Sequence, residues 1–312
     1  MITRLLTITS AALLAACGGN WSTRDLEFVN ALPQRADLQA RLPAGSSTQP
    51  LDGVSTREDG LNVGDPSQAW AATKKASTDF NQMIETVLGI LDTVRLYPPT
   101  TRSDDTRVWG PYADQKNSGY EFQVAIQQTD ATHFAWSLKA RKTNGAFFDV
   151  IVGVFEARAS ARQGVGAMEI PVTNFKNELQ VDANFKALDK IQVGYQTASW
   201  PHRVDMAFTF SAGNTSGLST IGYTYRTLAD TSGALAFQVR TTSADATALT
   251  TTALWNPSGA GRAQAVVTEG TYTGATVGEC WDTSAKVVFY AESWAGGQVN
   301  GRASDCAAVD GL

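Results

Sequence analysis

From Tyr120 onward the chain alternates apolar and polar residues with a period of two. Tyr120, Phe122, Val124 and Ile126 alternate with Glu121, Gln123, Ala125 and Gln127. Phe134, Trp136, Leu138 and Ala140 alternate in the same way with Ala135, Ser137, Lys139 and Arg141. This is the pattern of strands with one face in a core and one in water. Thr129-Asp130-Ala131-Thr132 reads as a turn, and Thr143-Asn144-Gly145 as the hairpin signal that opens the next strand, Phe147 to Glu156. The same grammar continues in Ile191/Val193/Tyr195, Val204/Met206/Phe208/Phe210, Ile221/Tyr223/Tyr225 and Leu235/Phe237/Val239, and then in Leu249 to Leu254, Ala263 to Val267 and Val287/Phe289/Ala291. About ten to twelve short strands, separated by turn residues, predict an antiparallel meander rather than alternating βαβ units.

Upstream the period changes to between three and four. Phe80, Met83, Ile84, Val87, Leu88, Leu91 and Val94 form an apolar stripe, with Lys74, Lys75, Asp79 and Glu85 elsewhere around the helix. Asp65 is the expected cap, Pro66 the first helical residue and Pro98-Pro99 the stop. Before it, Trp21 to Pro43 suggests one short strand, and Ala44 to Asp65, rich in Gly, Ser, Asp and Pro, suggests an exposed connector. The fold class is therefore mainly β with one long helix: a meander curved into a barrel or half-barrel packed on the N-terminal helix, which shields both apolar faces. A membrane-spanning barrel is disfavoured, because the expected strands fall short of the ~9 to 11 residues that span a bilayer.

The first twenty residues carry a different signal. Arg4 supplies a positive start, Leu5 to Leu14 a short apolar run, and Leu14-Ala15-Ala16-Cys17 a small-residue cleavage site. These residues resemble the lipobox of bacterial lipoproteins. The resemblance implies cleavage before Cys17, lipidation of that cysteine and attachment to an envelope membrane, with Gly18-Gly19-Asn20 as spacer. No acidic residue follows Cys17 directly, which favours the outer membrane over the inner. Phe28 to Pro43 is similar to the openings of uncharacterised envelope lipoproteins, a likeness that carries no chemistry. The expected organisation is a signal peptide over 1–16, a lipidated segment and connector over 17–64, and a helix-plus-sheet domain over 65–312. With Cys17 acylated, Cys280 and Cys306 remain as an even pair in an oxidising compartment, where a disulfide is expected.

The formal charge is −5, one unit more negative once Arg4 leaves with the leader, and no basic block suggests nucleic acid. The only histidines, His133 and His202, sit at strand ends. There is no HExxH, GxSxG or Walker-type loop, and no catalytic residue, metal ligand or cofactor is expected. Paired carboxylates keep a glycosidase open: Asp104-Asp105 after the helix, or Glu279, Asp282 and Glu292 beside Trp281 and Trp294. The inward face, with Trp136, Tyr195, Phe208, Tyr223, Tyr225 and Phe237 and with Thr250 and Thr252 nearby, is aromatic but not dry, as a ligand cavity would be. Lipocalins and the lipid-carrying half-barrels of lipoprotein sorting share this general plan, but no motif of either is present. The reading favoured is a non-enzymatic envelope lipoprotein that binds an apolar ligand or lipid. The alternatives are a solid-cored protein-interaction lipoprotein whose partner is another envelope protein, and a carboxylate-dependent carbohydrate-active enzyme.

Overall fold

The alternation resolves into one antiparallel sheet of fifteen strands, each hydrogen-bonded to the next in sequence. The computed structural model describes residues 21–43, 61–181, 183–242, 247–293 and 297–309, without the side chains of residues 86, 87, 90, 93, 183 and 184. Cys17, the cleavage site, the 44–60 connector and Trp294 lie outside the described residues, as does the side chain of Val87. The strands are β1 (Thr101–Arg102), β2 (Thr106–Ala113), β3 (Tyr120–Gln128), β4 (His133–Lys142), β5 (Phe148–Ala157), β6 (Gly164–Ile170), β7 (Leu188–Gln196) and β8 (His202–Phe210). They continue as β9 (Leu218–Thr227), β10 (Gly233–Thr241), β11 (Ala248–Trp255), β12 (Gly261–Glu269), β13 (Thr276–Trp281), β14 (Val287–Glu292) and β15 (Val299–Gly301).

The closed-barrel alternative does not form. Strands β1 and β15 are the two edges of the sheet and do not pair with each other. At two and three residues they offer little unpaired backbone, one of the ways open sheets limit edge-to-edge association. Strands β3, β4 and β5, and β7 to β10, reach nine or ten residues, longer than the sequence pattern suggests. Polarity, not length, distinguishes this sheet from a bilayer-spanning one. The face away from the helix carries Gln127, Lys139, Glu169, Gln192, Asp205 and Gln238, where a lipid-facing band would be apolar. No described helix is long and apolar enough to cross a membrane.

Two helices replace the strand expected over Trp21 to Pro43: α1 (Thr23–Asn30) and α2 (Arg35–Leu38). Ser22 and Asp25 form a reciprocal capping box, each side chain bonding the other's backbone N–H, so the chain enters a helix where apolar alternation alone suggests a strand. Asp25 is fully buried and pairs with the Arg107 guanidinium at 2.6 Å, pinning α1 to β2. Burial opposes its ionisation. Hydrogen bonds from Ser22, Arg107 and Arg102 outweigh that and hold the carboxyl at about 2.

The long helix α3 spans Gln68–Val94. Its cap is Ser67, whose hydroxyl accepts the Trp70 N–H at 2.9 Å, two residues beyond the expected Asp65. Asp65 and Pro66 instead continue the β14 ladder, through Val287 N–H to the Asp65 carbonyl and a bridge from Pro66 to Lys286. The stripe behaves as the pattern predicts: Phe80, Ile84, Leu88, Leu91 and Val94 are buried in one core with the sheet. Trp70 meets Trp255 of β11 and Trp281 of β13, with centroids 6.3 and 5.5 Å away. Phe80 meets Tyr223 and Tyr225 of β9 at 6.1 and 6.4 Å. The helix therefore runs across the strands. Cys280 of β13 is bonded to Cys306, tying the C-terminal segment to the sheet as the cysteine count predicts.

Four aromatic rings on the core side share one cross-strand arrangement. Trp136, Tyr195, Trp255 and Trp281 stand directly opposite Gly153, Gly166, Gly233 and Gly261 on the neighbouring strand. A β-carbon at those glycines would lie 2.3, 2.1, 2.4 and 2.5 Å from ring atoms, inside van der Waals contact. Each ring lies over bare backbone, covering the place where strand glycine otherwise leaves the sheet unpacked. Gly153→Ala and Gly166→Ala should each lower the unfolding free energy by about 1–3 kcal/mol through overpacking. Gly194→Ala, in β7 where a β-carbon meets nothing within 4 Å, should change it little. Urea unfolding of the three variants checks this, and equal midpoints would refute the ring-over-glycine account.

Candidate functional site: an apolar cavity under the end of the helix

The one glycine of α3, Gly89, lies on the side of the helix opposite the apolar stripe. A glycine inside a helix costs about 1 kcal/mol relative to alanine, so the position needs a reason. A β-carbon at Gly89 would meet no atom within 4 Å. Gly89 and Val94 border a cavity of about 540 Å³ between the C-terminal half of the helix and strands β2 to β6. Its strand walls are Trp109, Phe122, Val124, Leu138, Ile151 and Ile170. These positions alternate along their strands and face the helix, so the period-two pattern itself places them there.

The connection between β6 and β7 forms the roof. It begins with a short helical turn at Val172–Asn174 and brings Phe175, Leu179, Val181 and Phe185 over the cavity. Polar bonds fasten it to the sheet. The Asn117 side chain accepts the Gln180 N–H, and Glu178 accepts the Tyr120 hydroxyl at 2.8 Å and the Lys142 ammonium at 3.0 Å. Those two donors, Lys142 first, hold the Glu178 carboxyl below its ordinary range. Lys176 donates to the Leu188 carbonyl, Asp189 and Ser211. The mouth is formed by Tyr97, Tyr112, residues Asp114 to Asn117 and Gln180.

Among the described residues, Trp109 spends its indole N–H on the Tyr97 carbonyl at 2.8 Å, and the other wall and roof side chains away from the mouth are hydrocarbon. Such a space takes up apolar surface and selects by shape.

No family model, curated protein or solved structure matches the chain.

The six aromatics expected to face a ligand lie elsewhere on the same side of the sheet. Trp136, Tyr195, Phe208 and Tyr225 are buried in the core, and Tyr223 and Phe237 are partly buried against it. None lines the cavity under Gly89. The Tyr225 hydroxyl accepts from Arg41 N–H and donates to the Arg41 carbonyl. Trp136, Tyr223 and Phe237 also border a second concavity of about 1150 Å³, floored by small residues including Ala125, Ser137, Ala167 and Ala207. Thr250 and Thr252 stand opposite Gln238 and Ala236, on the polar face rather than the inward one, because the β10–β11 register sets them there.

The carboxylates weighed for glycosidase chemistry are engaged by separate local partners. Asp105 bonds Ser103 and Thr106 at the surface, and Asp282 accepts the Ser284 and Lys286 N–H groups in its own turn. Glu292 accepts the Tyr290 hydroxyl at 2.6 Å. Glu279 points beneath the start of α3, where it accepts from the Ser67 hydroxyl and from the Ala69 N–H at 3.1 Å. Among the described residues no cluster of three or more His, Cys, Asp or Glu side chains is placed to hold a metal ion.

Burial pushes the Glu279 carboxyl up to about 7, against the pull of the Ser67, Ala69 and Gln68 donors. Its ordinary value is 4.5, so the folded state holds the proton more tightly than the unfolded chain does. The associated stabilisation is complete below pH 4.5, falls away as pH rises through 7, and is on the order of 3 kcal/mol. Glu279→Gln should remove that contribution to the slope of unfolding free energy between pH 5 and 7. Urea melts across this range test it, and an unchanged slope would show that Glu279 ionises without cost.

Proposed function

We propose that this chain is a non-enzymatic, lipid-anchored protein of the bacterial envelope, at the outer rather than the inner membrane, that holds an apolar ligand or lipid inside a half-barrel. The observation that carries this reading is the cavity under Gly89. Gly89 and Val94 border the space from the helix, and its described strand walls are Trp109, Phe122, Val124, Leu138, Ile151 and Ile170. A volume of about 540 Å³ falls within the ~300–1,000 Å³ typical of small-molecule sites.

Geometry supports the half-barrel. Trp70 reaches β13 and Gly89 and Val94 reach β2, so α3 serves both flanks of the sheet. Eleven strand spacings laid flat cover about 53 Å. A helix of 27 residues is only about 40 Å long. A sheet bowed round the helix closes that difference, as in carriers with a curved sheet and a helical filling. The second concavity, on the other side of the sheet, favours a second reading in which that face docks another envelope protein.

The buried apolar residues among those described lie between 28 and 309, all of them within the chain from residue 18 onward. Secreted into an oxidising periplasm and weighed under native conditions, it should retain a mass that extracts into organic solvent. Gly89→Leu places a side chain in the open space without a clash and raises helix propensity, so it should fold at least as stably and lose the extra mass. A clean apo mass for the parent, with no apolar probe taken up, would move the assignment to the docking reading. For the anchor, metabolic labelling with an alkyne fatty acid should mark the full chain and leave Cys17→Ser unmarked.

A further inference from the structure

We infer that the rim of turns from which the anchor leaves the domain is a membrane-docking surface, with the Trp200 indole seated at headgroup level in the bilayer that holds the Cys17 lipid. The inference rests on the lipid anchor proposed above and adds the face that the anchored domain turns to the membrane. The strands of a meander end alternately at two rims. One rim carries the turns over 129–132, 158–163, 197–201, 228–232, 256–260 and 282–286, and residues 21–43 run along it. Arg24, three residues after Trp21, donates to Gln128 at the end of β3. Arg162 in the β5–β6 turn donates to Asp37 at 3.0 Å, and the Arg41 N–H donates to the Tyr225 hydroxyl near the end of β9 at 2.8 Å. Cys17 precedes Trp21 by four residues. Four residues span at most about 14 Å however they run, whereas strands of nine or ten residues separate the two rims by about 30 Å. A lipid on Cys17 therefore holds this rim, not the opposite one, beside the bilayer.

The anchor rim presents what such a neighbour takes up. Leu26 on α1, Trp200 in the β7–β8 turn and Val63 beside the start of β14 are half-exposed there. The Trp200 indole stacks on the His202 imidazole, with centroids 3.7 Å apart and planes 8° from parallel. The stack fixes the ring while half of its surface stays in water. An indole has an apolar body and a polar N–H, the combination that settles at membrane–water interfaces. Exposure alone does not choose a rim, because Tyr112 and Tyr272 are exposed at the far one; the position of Cys17 chooses. With the anchor rim on the membrane, residues 114–117 at the cavity mouth lie on the far rim, so the cavity opens away from the anchoring bilayer.

The test uses phosphatidylcholine vesicles whose acyl chains carry bromine just below the headgroup, where it quenches tryptophan emission at contact. Two forms are compared: the full chain purified from membranes and reconstituted, and the chain from residue 18 onward held by an N-terminal hexahistidine tag on a nickel-chelating lipid. Both should be quenched, and Trp200→Ala should cut the quenched emission by about half in each. Trp21 contributes equally to parent and variant, so the difference reports Trp200. Adding Tyr272→Trp to Trp200→Ala puts an indole on the far rim and should not restore the loss. Trp200→Ala alters an exposed side chain, and an unchanged urea midpoint verifies its fold. Absence of quenching in the parent, equal quenching in Trp200→Ala, or recovery with Tyr272→Trp would each overturn the docking face. Should the full chain carry no lipid, the anchor reading falls by itself, because the tag supplies the same closeness without acylation and the tethered form still decides which rim meets the bilayer.

Discussion

A meander of fifteen strands has a broad apolar side, and in this protein a single helix has to cover most of it. That requirement organises the molecule. The helix cannot lie along the strands and still touch both flanks, so it crosses them, with Trp70 at one end, Phe80 at the centre and Val94 at the other. Regions it does not reach are covered by other means. Strand aromatics fold down over opposing glycines, α1 sets Phe28 against Phe134, and the β6–β7 connection roofs the last third of the stripe. The cavity lies where helix, roof and sheet meet, with Gly89 at its border.

The helix and its flanking segment are held by two buried carboxylates that behave in opposite ways. Asp25 has guanidinium and backbone donors around it, and its charge is favoured strongly enough to overcome burial. Glu279 has a hydroxyl and helix N-terminal amides but no cation, and there burial wins. The difference is one of partner charge, since desolvation acts on both. Both groups join segments distant in sequence, Asp25 to Arg107 and Glu279 to Ser67, so each fixes a contact that local propensity does not supply.

Much of the architecture was legible along the chain. Period-two alternation marked the strands and their core face, the three-to-four spacing from Phe80 to Val94 marked the helix, and two cysteines left after Cys17 marked the disulfide. Errors arose where a short polar motif outweighed apolar pattern. Ser22 and Asp25 turn an apparent strand into α1, and Ser67 displaces Asp65 as the cap of α3. The site was less legible. Inward aromatic character marks Trp136, Tyr195 and Tyr225, which fill the core, whereas the cavity is walled by Trp109, Phe122, Val124 and Leu138. Gly89 inside an otherwise well-formed amphipathic helix was the available signal.

The sequence by itself determined the period of each segment, the face each strand buries, the consecutive strand order that short turns impose, and the residue types able to line an apolar space. These depend on neighbours a few positions apart. The tertiary structure alone decided that the helix crosses the sheet, that the edges stay apart, and which aromatics pack and which wall a cavity. Those outcomes depend on distances between residues tens to hundreds of positions apart. Pattern within a segment does not encode such distances, and only the folded chain sets them.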